Sequence, residues 1–229
     1  MMKFLRRFGD LGINGVAARW YNNNSRKHRL DEMKGYAMET ASHLKDGDSV
    51  LEVAPGPGYL SIELSKLGKY RIVGMDISRD FVEIARKNAL AANAEVEFRQ
   101  GNVSDMPFAD DTFDFITCTA AFKNFKEPLK ALSEIYRVLK VEGEVLIIDM
   151  KRDASDQEID TLTRNMKEKG AEALFMKLMF KHFLRKGAYT KDEISCLIAQ
   201  TAFGEYRVDA DGVTLSIRLR KRAQPVLRS

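Results

Sequence analysis

The stretch VLEVAPGPGYL, residues 50–60, passes from an apolar run through an acid into two glycines that alternate with two prolines. Gly56 and Gly58 allow the backbone to approach a ligand closely, and the two prolines stiffen the path. A helix that begins near Tyr59 presents free N–H groups and the positive end of its dipole to the same place. In parallel α/β sheets, ligands bind at such strand–loop–helix junctions. The stretch therefore predicts a preformed ligand-binding loop.

A second acid lies at the end of the next apolar run. YRIVGMD, residues 70–76, ends at Asp76, which stands 20 residues after Gly56. A carboxylate at that position can accept hydrogen bonds from both hydroxyls of a ribose. The glycine loop alone also fits a tight structural turn, so it is the combination of loop and acid that indicates a nucleoside-containing cofactor.

Two residues distinguish this loop from a dinucleotide site. A dinucleotide fingerprint has a third glycine where this chain has Ser61, and its pyrophosphate would be repelled by an acid at Glu52. The ammonium group of a methionine moiety would instead be attracted to Glu52. The residues therefore favour a nucleoside that carries an amino acid over NAD.

Strand-like and helix-like segments alternate along the chain, which is typical of a parallel sheet covered by helices. The apolar patterns predict strands at 49–54, 70–76, 95–99, 112–120 and 143–149, and helices at 59–68, 78–93, 127–140 and 190–202. Asp211-Gly212 between two alternating runs predicts a closing hairpin. The predicted fold class is α/β: a doubly wound, Rossmann-like, seven-stranded sheet with an antiparallel C-terminal hairpin and a helical insertion before the last two strands.

The same patterns divide the chain into five parts. We expect an N-terminal helical segment at 1–44, a cofactor-binding core at 45–150, a helical lid insertion at 151–189, the closing helix and hairpin of the same core at 190–222, and a tail at 223–229. Ser78 is expected to cap one core helix, and Thr190 with Glu193 forms a capping-box pattern at the closing helix.

Basic residues concentrate at the two ends of the chain. The 229 residues have a net charge of +4, which is too small to indicate a nucleic-acid partner. Residues 1–30 contain seven lysines and arginines against one aspartate, and five basic residues follow Asp211 without an acid. Such ends steer an anionic substrate, rest on an anionic membrane surface, or are simply solvated. The sequence leaves these alternatives open.

The cysteines and the hydropathy pattern indicate a soluble, cytoplasmic protein. Cys118 and Cys196 stand in apolar contexts without metal-ligand spacing, so we expect reduced core residues and no metal site. No apolar run is long enough for a signal peptide or a transmembrane span. Residues 4–11 carry apolar side chains at helical spacing and predict a short amphipathic helix docked on the domain. The oligomeric state is left undefined.

Four sequence blocks in order carry a family resemblance over about residues 45–150. The chain resembles the class I S-adenosylmethionine-dependent methyltransferases, specifically the branch with small-molecule and quinone C-methyltransferases. LEVAPGPG (51–58) is similar to that family's acid-x-Gly-x-Gly-x-Gly loop, and GMDIS (74–78) to its ribose-binding strand end. GNVSDMPFADDTFDFITC (101–118) is similar to the adenine-side stretch, and ALSEIYRVLKVEGEVLIID (131–149) to the following helix and fifth strand. The closing helix and hairpin match more loosely.

The resemblance implies S-adenosylmethionine as the cofactor and S-adenosylhomocysteine as its product. Glu52 would orient the methionine end, Ala54, Gly56 and Gly58 would pass along the methionyl and ribose portion, and Asp76 would bind the ribose hydroxyls. Ala54 departs from the family's glycine at this position. Because alanine disfavours positive φ, we expect the loop to adopt a conformation there that is open to alanine.

The resemblance also assigns four further residues to the adenine and sulfonium ends of the cofactor. Ile77 would pack on one face of the adenine, Asn102 would meet its amine, and Val103 would offer backbone N–H and apolar contact to the ring. Thr119 would lie next to the sulfonium and open toward the substrate. Asn102 replaces a frequent aspartate, and its amide can still accept a bond from the amine.

The implied reaction is methyl transfer to a small, apolar or aromatic acceptor. A sulfonium methyl group is already activated, so the protein must align the acceptor, exclude water and remove a proton where one leaves. The alternatives are an RNA methyltransferase that uses the basic termini, a catalytically silent cofactor-binding protein, and an NAD-dependent oxidoreductase, which Glu52 and Ser61 oppose.

Residues for the acceptor are less well defined than those for the cofactor. In this family, insertions before the closing hairpin commonly roof the substrate pocket, so the segment 173–189 predicts an apolar lid; the alternative is a helix that only docks on the core. No general base is assigned, although Tyr21, His28, His182 and Tyr189 are candidates by type. The candidate acceptor-binding residues are Tyr21, Lys123, Asn124, Phe175, Met179 and Phe183.

Overall fold

A seven-stranded sheet forms the centre of the structure, a computed structural model that describes residues 12–165, 174 and 177–223. In chain order its strands are β1 (Ser49–Val53), β2 (Arg71–Asp76), β3 (Val96–Gln100), β4 (Phe113–Thr119), β5 (Leu139–Met150), β6 (Glu205–Asp211) and β7 (Thr214–Arg220). They lie side by side in the order β3-β2-β1-β4-β5-β7-β6. The order in which the chain adds strands to the sheet reverses between β1 and β4, which places the carboxyl ends of these two parallel strands at the point where such folds bind ligands.

Helices cover both faces of the sheet. In chain order they are α1 (Val16–His28), α2 (Leu30–Ala41), α3 (Tyr59–Leu64), α4 (Arg79–Ala91), α5 (Pro128–Val138), α6 (Asp156–Asn165) and α7 (Lys191–Ile198). Leu132 of α5 and Ile194 of α7 belong to the apolar core of one face. Ala37 of α2 and Leu64 of α3 belong to that of the other. The amphipathic stripes of the helices are thus buried on a two-sided sheet.

The strand directions confirm the predicted fold class. β1 is parallel to β2 and β4, β2 to β3, and β4 to β5, whereas β7 runs antiparallel to both β5 and β6. The hairpin turn lies between Asp211 and Thr214, where Gly212 has a φ of +51°. That conformation suits glycine and explains the Asp-Gly signal.

Both predicted helix caps are present. The Ser78 hydroxyl accepts a hydrogen bond from the Phe81 N–H at 3.1 Å. At α7 the Thr190 hydroxyl accepts from the Glu193 N–H, and the Glu193 carboxylate accepts from the Thr190 N–H, which completes the capping box. Each cap satisfies N–H groups that the first helical turn leaves without a partner.

Three element boundaries differ clearly from the sequence prediction. The helices expected to reach residues 68 and 202 end at Leu64 and Ile198. The helix expected at 127–140 ends at Val138, and the strand expected from 143 begins at Leu139. Leu139 is fully buried, has extended backbone and pairs with Phe113 of β4. Pairing and burial in the sheet therefore override the helical periodicity at this residue.

The insertion before β6 is held partly by ion pairs. Lys177, Lys181 and Arg185 recur every four residues and lie 2.9 to 3.1 Å from carboxylate oxygens of Asp156 and Asp160 on α6. A π-helical turn at Phe180–Leu184 belongs to the same segment. Phe180 and Leu184 pack on a small cluster formed by Met150, Ala154, Ile159 and Ala188. At these two positions the segment docks on the core.

The two cysteines differ in their surroundings. Cys118 is buried in β4, as expected, but Cys196 is exposed and its prediction as a core residue is wrong. Ile194 and Ile198, two residues to either side, face the core of the sheet. A helix rotates about 100° per residue, so a residue between two core positions at this spacing points to solvent.

Candidate cofactor and active site

The loop after β1 is tightly turned and closely packed. Its backbone has positive φ at Ala54, Gly56 and Gly58, with values of 55°, 54° and 81°. A Cβ on Gly58 would lie 2.6 Å from Cζ of Phe98, so that side of the loop has no room for a side chain. A Cβ on Gly56 would meet only the Tyr21 ring, at 3.8 Å. The loop therefore leaves a gap on its Tyr21 side only.

Ala54 corrects one sequence expectation. The loop was expected to avoid positive φ at this alanine, yet Ala54 adopts a φ of +55°. Its N–H donates to the Met75 carbonyl at 2.8 Å, which ties the residue to the end of β2. The backbone path of the loop is thus retained, and the alanine adopts a left-handed conformation that costs about 1 to 2 kcal/mol in an L-residue.

Ala54→Gly is expected to increase the free energy of unfolding by about 0.5 to 1 kcal/mol, because relief of the left-handed strain exceeds the added chain entropy of the unfolded state. Urea unfolding measures the difference. Ala91→Gly, at the exposed end of α4, is the matched control and should lose about 0.5 to 1 kcal/mol. A loss of stability in both variants would show that positive φ at Ala54 is not strained.

Glu52 is a buried acid held by the start of α3. Its side chain is 2% exposed, and Oε2 accepts hydrogen bonds from both the N–H and the hydroxyl of Ser61. Burial raises the pKa of Glu52 to about 7, the Ser61 hydrogen bonds oppose that rise, and nearby Asp76 adds to it. Ser61, which departs from the dinucleotide pattern, is therefore the residue that positions Glu52.

Glu52→Gln is expected to flatten the pH dependence of stability. The folded-state pKa of Glu52 lies above the ordinary value of 4.5, so the folded protein binds more protons between about pH 4.5 and 7. Stability from this group is present below the lower pKa and falls as pH rises through the higher one, by about 3 kcal/mol in total.

Urea unfolding at pH 5 and pH 8 tests this prediction, with Glu83→Gln on the surface of α4 as the control. Wild type and the control should lose stability over that interval, and Glu52→Gln should lose much less. Equal losses in all three proteins would exclude Glu52 as the titrating group.

Asp76 joins the end of β2 to the loop. It is 5% exposed; its Oδ2 accepts from the Gly56 N–H at 3.0 Å and its Oδ1 from the Ser78 N–H at 2.8 Å. Burial raises its pKa, while these two N–H groups oppose the rise. Each carboxylate oxygen can accept a further bond, so the group can serve the loop and a ligand together.

The residues assigned to the adenine lie beyond Asp76. Ile77 and Val103 are half-buried, and Asn102 is exposed, with its Oδ1 accepting from the Ser104 N–H at 3.0 Å. A Cβ on Gly12 would lie 3.0 Å from Cγ2 of Ile77, so the N-terminal segment packs directly on this edge. Of these three residues, Val103 packs on the apolar core of the sheet and Asn102 faces solvent.

Helices α1 and α2 form a pocket with this loop. The cavity is small, about 40 Å³, and partly open to solvent. The predicted residues Tyr21, Ala54, Gly56 and Thr119 all belong to its wall. The full lining is Tyr21, Ser25, Arg29, Met33, Ala54, Pro55, Gly56, Pro57, Tyr59 and Thr119.

Lys123 does not face this pocket. Its ammonium donates to Asp149 Oδ1 at 2.6 Å and to the Ala120 carbonyl at 2.7 Å. The side chains of Lys123 and Asp149 are only 7% and 6% exposed. Ala120 has a φ of +57° and follows Thr119 directly. Lys123 therefore fixes the turn after β4 instead of pointing to an acceptor or to solvent. Its neighbour Asn124 ends a short helical turn outside the pocket wall.

Among the remaining candidates for acceptor binding and for the general base, the structure describes the side chains of three. Met179 and Tyr189 are half-buried outside the pocket wall, and Tyr189 packs on Phe122 with ring centroids 5.7 Å apart. His28 is half-buried at the end of α1. Phe175 and the amphipathic helix expected at 4–11 lie outside the described residues, as do the side chains of His182 and Phe183.

Sequence reasoning named Tyr21 of α1 but missed the other residues that this helix and its C-terminal end contribute to the site. Asn22 Oδ1 accepts from the Tyr59 hydroxyl at 2.9 Å and from Asn88 Nδ2 at 3.0 Å, and Asn88 Nδ2 also lies 2.9 Å from the Pro57 carbonyl. Ser25 and Arg29 line the pocket four and eight residues after Tyr21. That spacing was visible in the sequence, but only the fold shows which helical face covers the loop.

A parallel sheet with an antiparallel last strand, a glycine loop after β1 and acids at the ends of β1 and β2 define a class I methyltransferase-type domain. Residues 51–147 match the family model described as a methyltransferase domain. Over these residues the chain is similar to the class I S-adenosylmethionine-dependent methyltransferases, whose cofactor is S-adenosylmethionine.

Two curated relatives and one solved structure illustrate the match. A demethylmenaquinone methyltransferase of Clavibacter sepedonicus is 37% identical over 103 residues, 45% of this chain and 41% of the relative. A ubiquinone/menaquinone biosynthesis C-methyltransferase of a Marinomonas species is 32% identical over 151 residues, 64% of this chain and 55% of the relative. The chain thus spans about half the length of these relatives.

The structural neighbour is a candidate S-adenosylmethionine-dependent methyltransferase of Methanococcus maripaludis. It superposes with a TM-score of 0.76 at 23% identity and covers 92% of this chain and 94% of its own. At that identity the likeness concerns the fold alone.

Proposed function

We propose that this protein transfers the methyl group of S-adenosylmethionine to a small, apolar or aromatic acceptor. The observation that supports this most strongly is the placement of two buried acids around one loop. Glu52 is held by Ser61 in the helix that follows the loop, and the Asp76 carboxylate accepts from the Gly56 N–H within it. A pocket that includes Thr119 opens beside the same glycine.

The residues present fit the cofactor. The gap between Gly56 and the Tyr21 ring is space that a side chain at Gly56 would fill. Glu52 would stabilise the ammonium of the methionine moiety, Gly58 and Ala54 would shape the path of the chain, and Asp76 would hold the ribose. Bound there, S-adenosylmethionine supplies an activated methyl group. Ile77, Asn102 and Val103 would hold the adenine.

The chain's own tasks are alignment and exclusion of water. Helices α1 and α2 cover the loop, and Met33 and Tyr21 give the pocket apolar and aromatic walls beside Thr119. Such a lining suits a small organic acceptor with a ring or alkyl body. The two curated relatives are named for quinone-precursor methylation, which supports an aromatic acceptor here.

Ligand-induced thermal stabilisation tests the cofactor assignment. At about 100 times its dissociation constant, S-adenosylmethionine or S-adenosylhomocysteine adds about 2.7 kcal/mol, which raises the Tm of a chain this size by about 5 to 11 °C. NAD should give no shift. Transfer of a radiolabelled methyl group to phenols, quinols and thiols then tests catalysis. A shift with NAD alone would overturn the proposal.

The comparisons give no support to the three alternatives. The matches to methyltransferases argue against an NAD-dependent oxidoreductase. The buried acid Glu52 argues against it too, because it would repel the pyrophosphate of NAD. Binding to RNA would weaken steeply with added salt, so insensitivity of any RNA binding to salt would argue further against that function. Methyl transfer to any acceptor would exclude a silent cofactor-binding protein.

The lid over the acceptor remains a proposal. Simultaneous replacement of Phe175, Met179 and Phe183 by alanine is expected to lower kcat/KM for an apolar acceptor by about 100-fold or more, since each removed side chain is worth roughly 1 kcal/mol or more of apolar contact. Phe180→Ala, which removes a docking contact, is the control for stability. A loss of turnover that only follows the loss of stability would contradict the lid.

We also propose that the protein is cytoplasmic and contacts a membrane surface through α1. None of the helices in the described ranges is long and apolar enough to cross a bilayer. Val16 and Trp20 on α1 are 74% and 53% exposed, and Arg19 and Lys27 flank them on the same helix. This combination suits contact with anionic lipid headgroups. Sedimentation with anionic and neutral vesicles, using wild type and Trp20→Ala, tests it.

A further inference from the structure

Three hydrogen-bond donors converge on the pocket from one face of the N-terminal helices. Tyr21, Ser25 and Arg29 are spaced by four residues, so they lie in a row along α1 and its C-terminal end. All three line the pocket together with Thr119 and Met33. The proposed methyl transfer uses only the aromatic ring of Tyr21. It gives no role to the hydroxyls of Tyr21 and Ser25 or to the guanidinium of Arg29.

The hydroxyl of Ser25 lacks a partner although it is enclosed. Ser25 is 4% exposed, and within the described ranges its Oγ has no hydrogen-bond partner. A buried hydroxyl left without a partner is destabilising, so a site of this kind is normally completed by another group. Because Ser25 lies in the pocket wall, the expected partner of its hydroxyl is an atom of a bound ligand.

Arg29 and Tyr21 add directed donors beside Ser25. Arg29 Nη1 donates to the Tyr21 hydroxyl at 2.9 Å, and Nε donates to Glu32 at 2.8 Å. The Tyr21 oxygen thus acts as acceptor, and its own proton is available to a further acceptor. The Arg29 side chain is only 25% exposed. No acidic side chain belongs to the described pocket wall.

We propose that Tyr21, Ser25 and Arg29 form a subsite for an anionic oxygen of the acceptor, a carboxylate or a phenolate. The inference rests on the proposed function and narrows its substrate class to apolar or aromatic acceptors that carry such an oxygen. Glu32 pairs with Nε of Arg29 only, so the remaining guanidinium N–H groups and the two hydroxyls can select an acceptor atom, and the guanidinium favours negative charge.

The position of the subsite favours the acceptor as the source of that oxygen. It shares a wall with Thr119, which the family resemblance places beside the sulfonium, and with the apolar side chain of Met33. An aromatic body on Met33 and an oxygen on Arg29 fit one small molecule. The cofactor's own carboxylate has the same chemistry, so the experiment must separate the two sources.

Two probes of matched shape test the subsite: 2-naphthoate and 2-naphthamide, which differ in charge. Binding is measured by calorimetry on the full chain saturated with S-adenosylhomocysteine. Wild type is expected to bind the carboxylate about tenfold or more tightly than the amide, the usual effect of a hydrogen-bonded charge. Arg29→Met should remove that preference, and Ser25→Ala and Tyr21→Phe should each reduce it several-fold without changing the fold.

Arg19→Met, the same change on the exposed face of α1, is the control and should keep the preference. Equal binding of the two probes to wild type, or a preference retained in Arg29→Met, would overturn the subsite. If Arg29→Met instead weakens S-adenosylhomocysteine but leaves 5′-methylthioadenosine unchanged, the donors serve the cofactor carboxylate and the inference is also overturned. Failure of wild type to bind S-adenosylhomocysteine at all would overturn the proposed function itself.

Discussion

Asp76→Ala is expected to lower the affinity for S-adenosylhomocysteine by about 100-fold or more. Two hydrogen bonds from ribose hydroxyls to a charged acceptor contribute about 1.5 to 3 kcal/mol each, and both are lost with the carboxylate. The Gly56 N–H also loses its acceptor, because Asp76 Oδ2 lies 3.0 Å from it in the folded chain. The loop and the ligand thus depend on the same group.

The loss at the ribose can be separated from a general disturbance of the loop. Calorimetry with 5′-methylthioadenosine and its 2′,3′-dideoxy analogue measures what the hydroxyls contribute. Wild type should prefer the ribose compound strongly, and Asp76→Ala should bind the two alike. Asp192→Ala, an exposed acid in the first turn of α7, is the control and should behave as wild type. A preference that survives in Asp76→Ala would place the ribose elsewhere.

Local signals predicted most of the fold. The Thr190 and Glu193 capping box, the Ser78 cap and the Asp211-Gly212 hairpin each act within a few residues, so the sequence pattern and the structure agree. Leu139 is the exception. It continues the helical periodicity of α5 but pairs with Phe113, 26 residues earlier in the chain, and no local pattern shows that pairing.

Of the predicted cofactor residues, Ala54, Gly56 and Thr119 line one pocket, whereas the acceptor side depends on contacts that the sequence does not show. Lys123 was a candidate for the acceptor, but its partner Asp149 comes from the end of β5 and buries the charge. Ser25 and Arg29 reach the loop from a helix that precedes it by more than 20 residues. Tertiary packing decides these positions, because hydrophobic periodicity reports only that a helix has a buried face.

Gly58→Ala is expected to reduce the free energy of unfolding by about 2 to 5 kcal/mol. Positive φ costs an L-residue about 1 to 2 kcal/mol, and forcing a methyl group into a filled core typically costs about 1 to 3 kcal/mol. Gly58 has a φ of +81°, and its Cβ would lie 2.6 Å from Phe98 Cζ and 3.0 Å from Ala85 Cβ. Phe98 is itself buried, so its ring cannot move toward solvent. The Tm should fall by about 5 to 15 °C.

A second replacement separates the two causes. Phe98→Leu in the Gly58→Ala background should recover the packing part of the loss but not the part due to positive φ, and the double-mutant cycle measures the difference. Gly35→Ala is the control: the site lies inside α2 with no atom within 4 Å of the added methyl group, so alanine should stabilise by about 0.5 to 1 kcal/mol. If Gly58→Ala were as well tolerated as Gly35→Ala, the loop would not be packed against Phe98. The proposal that this loop forms a rigid binding site for the cofactor would then lose its structural basis.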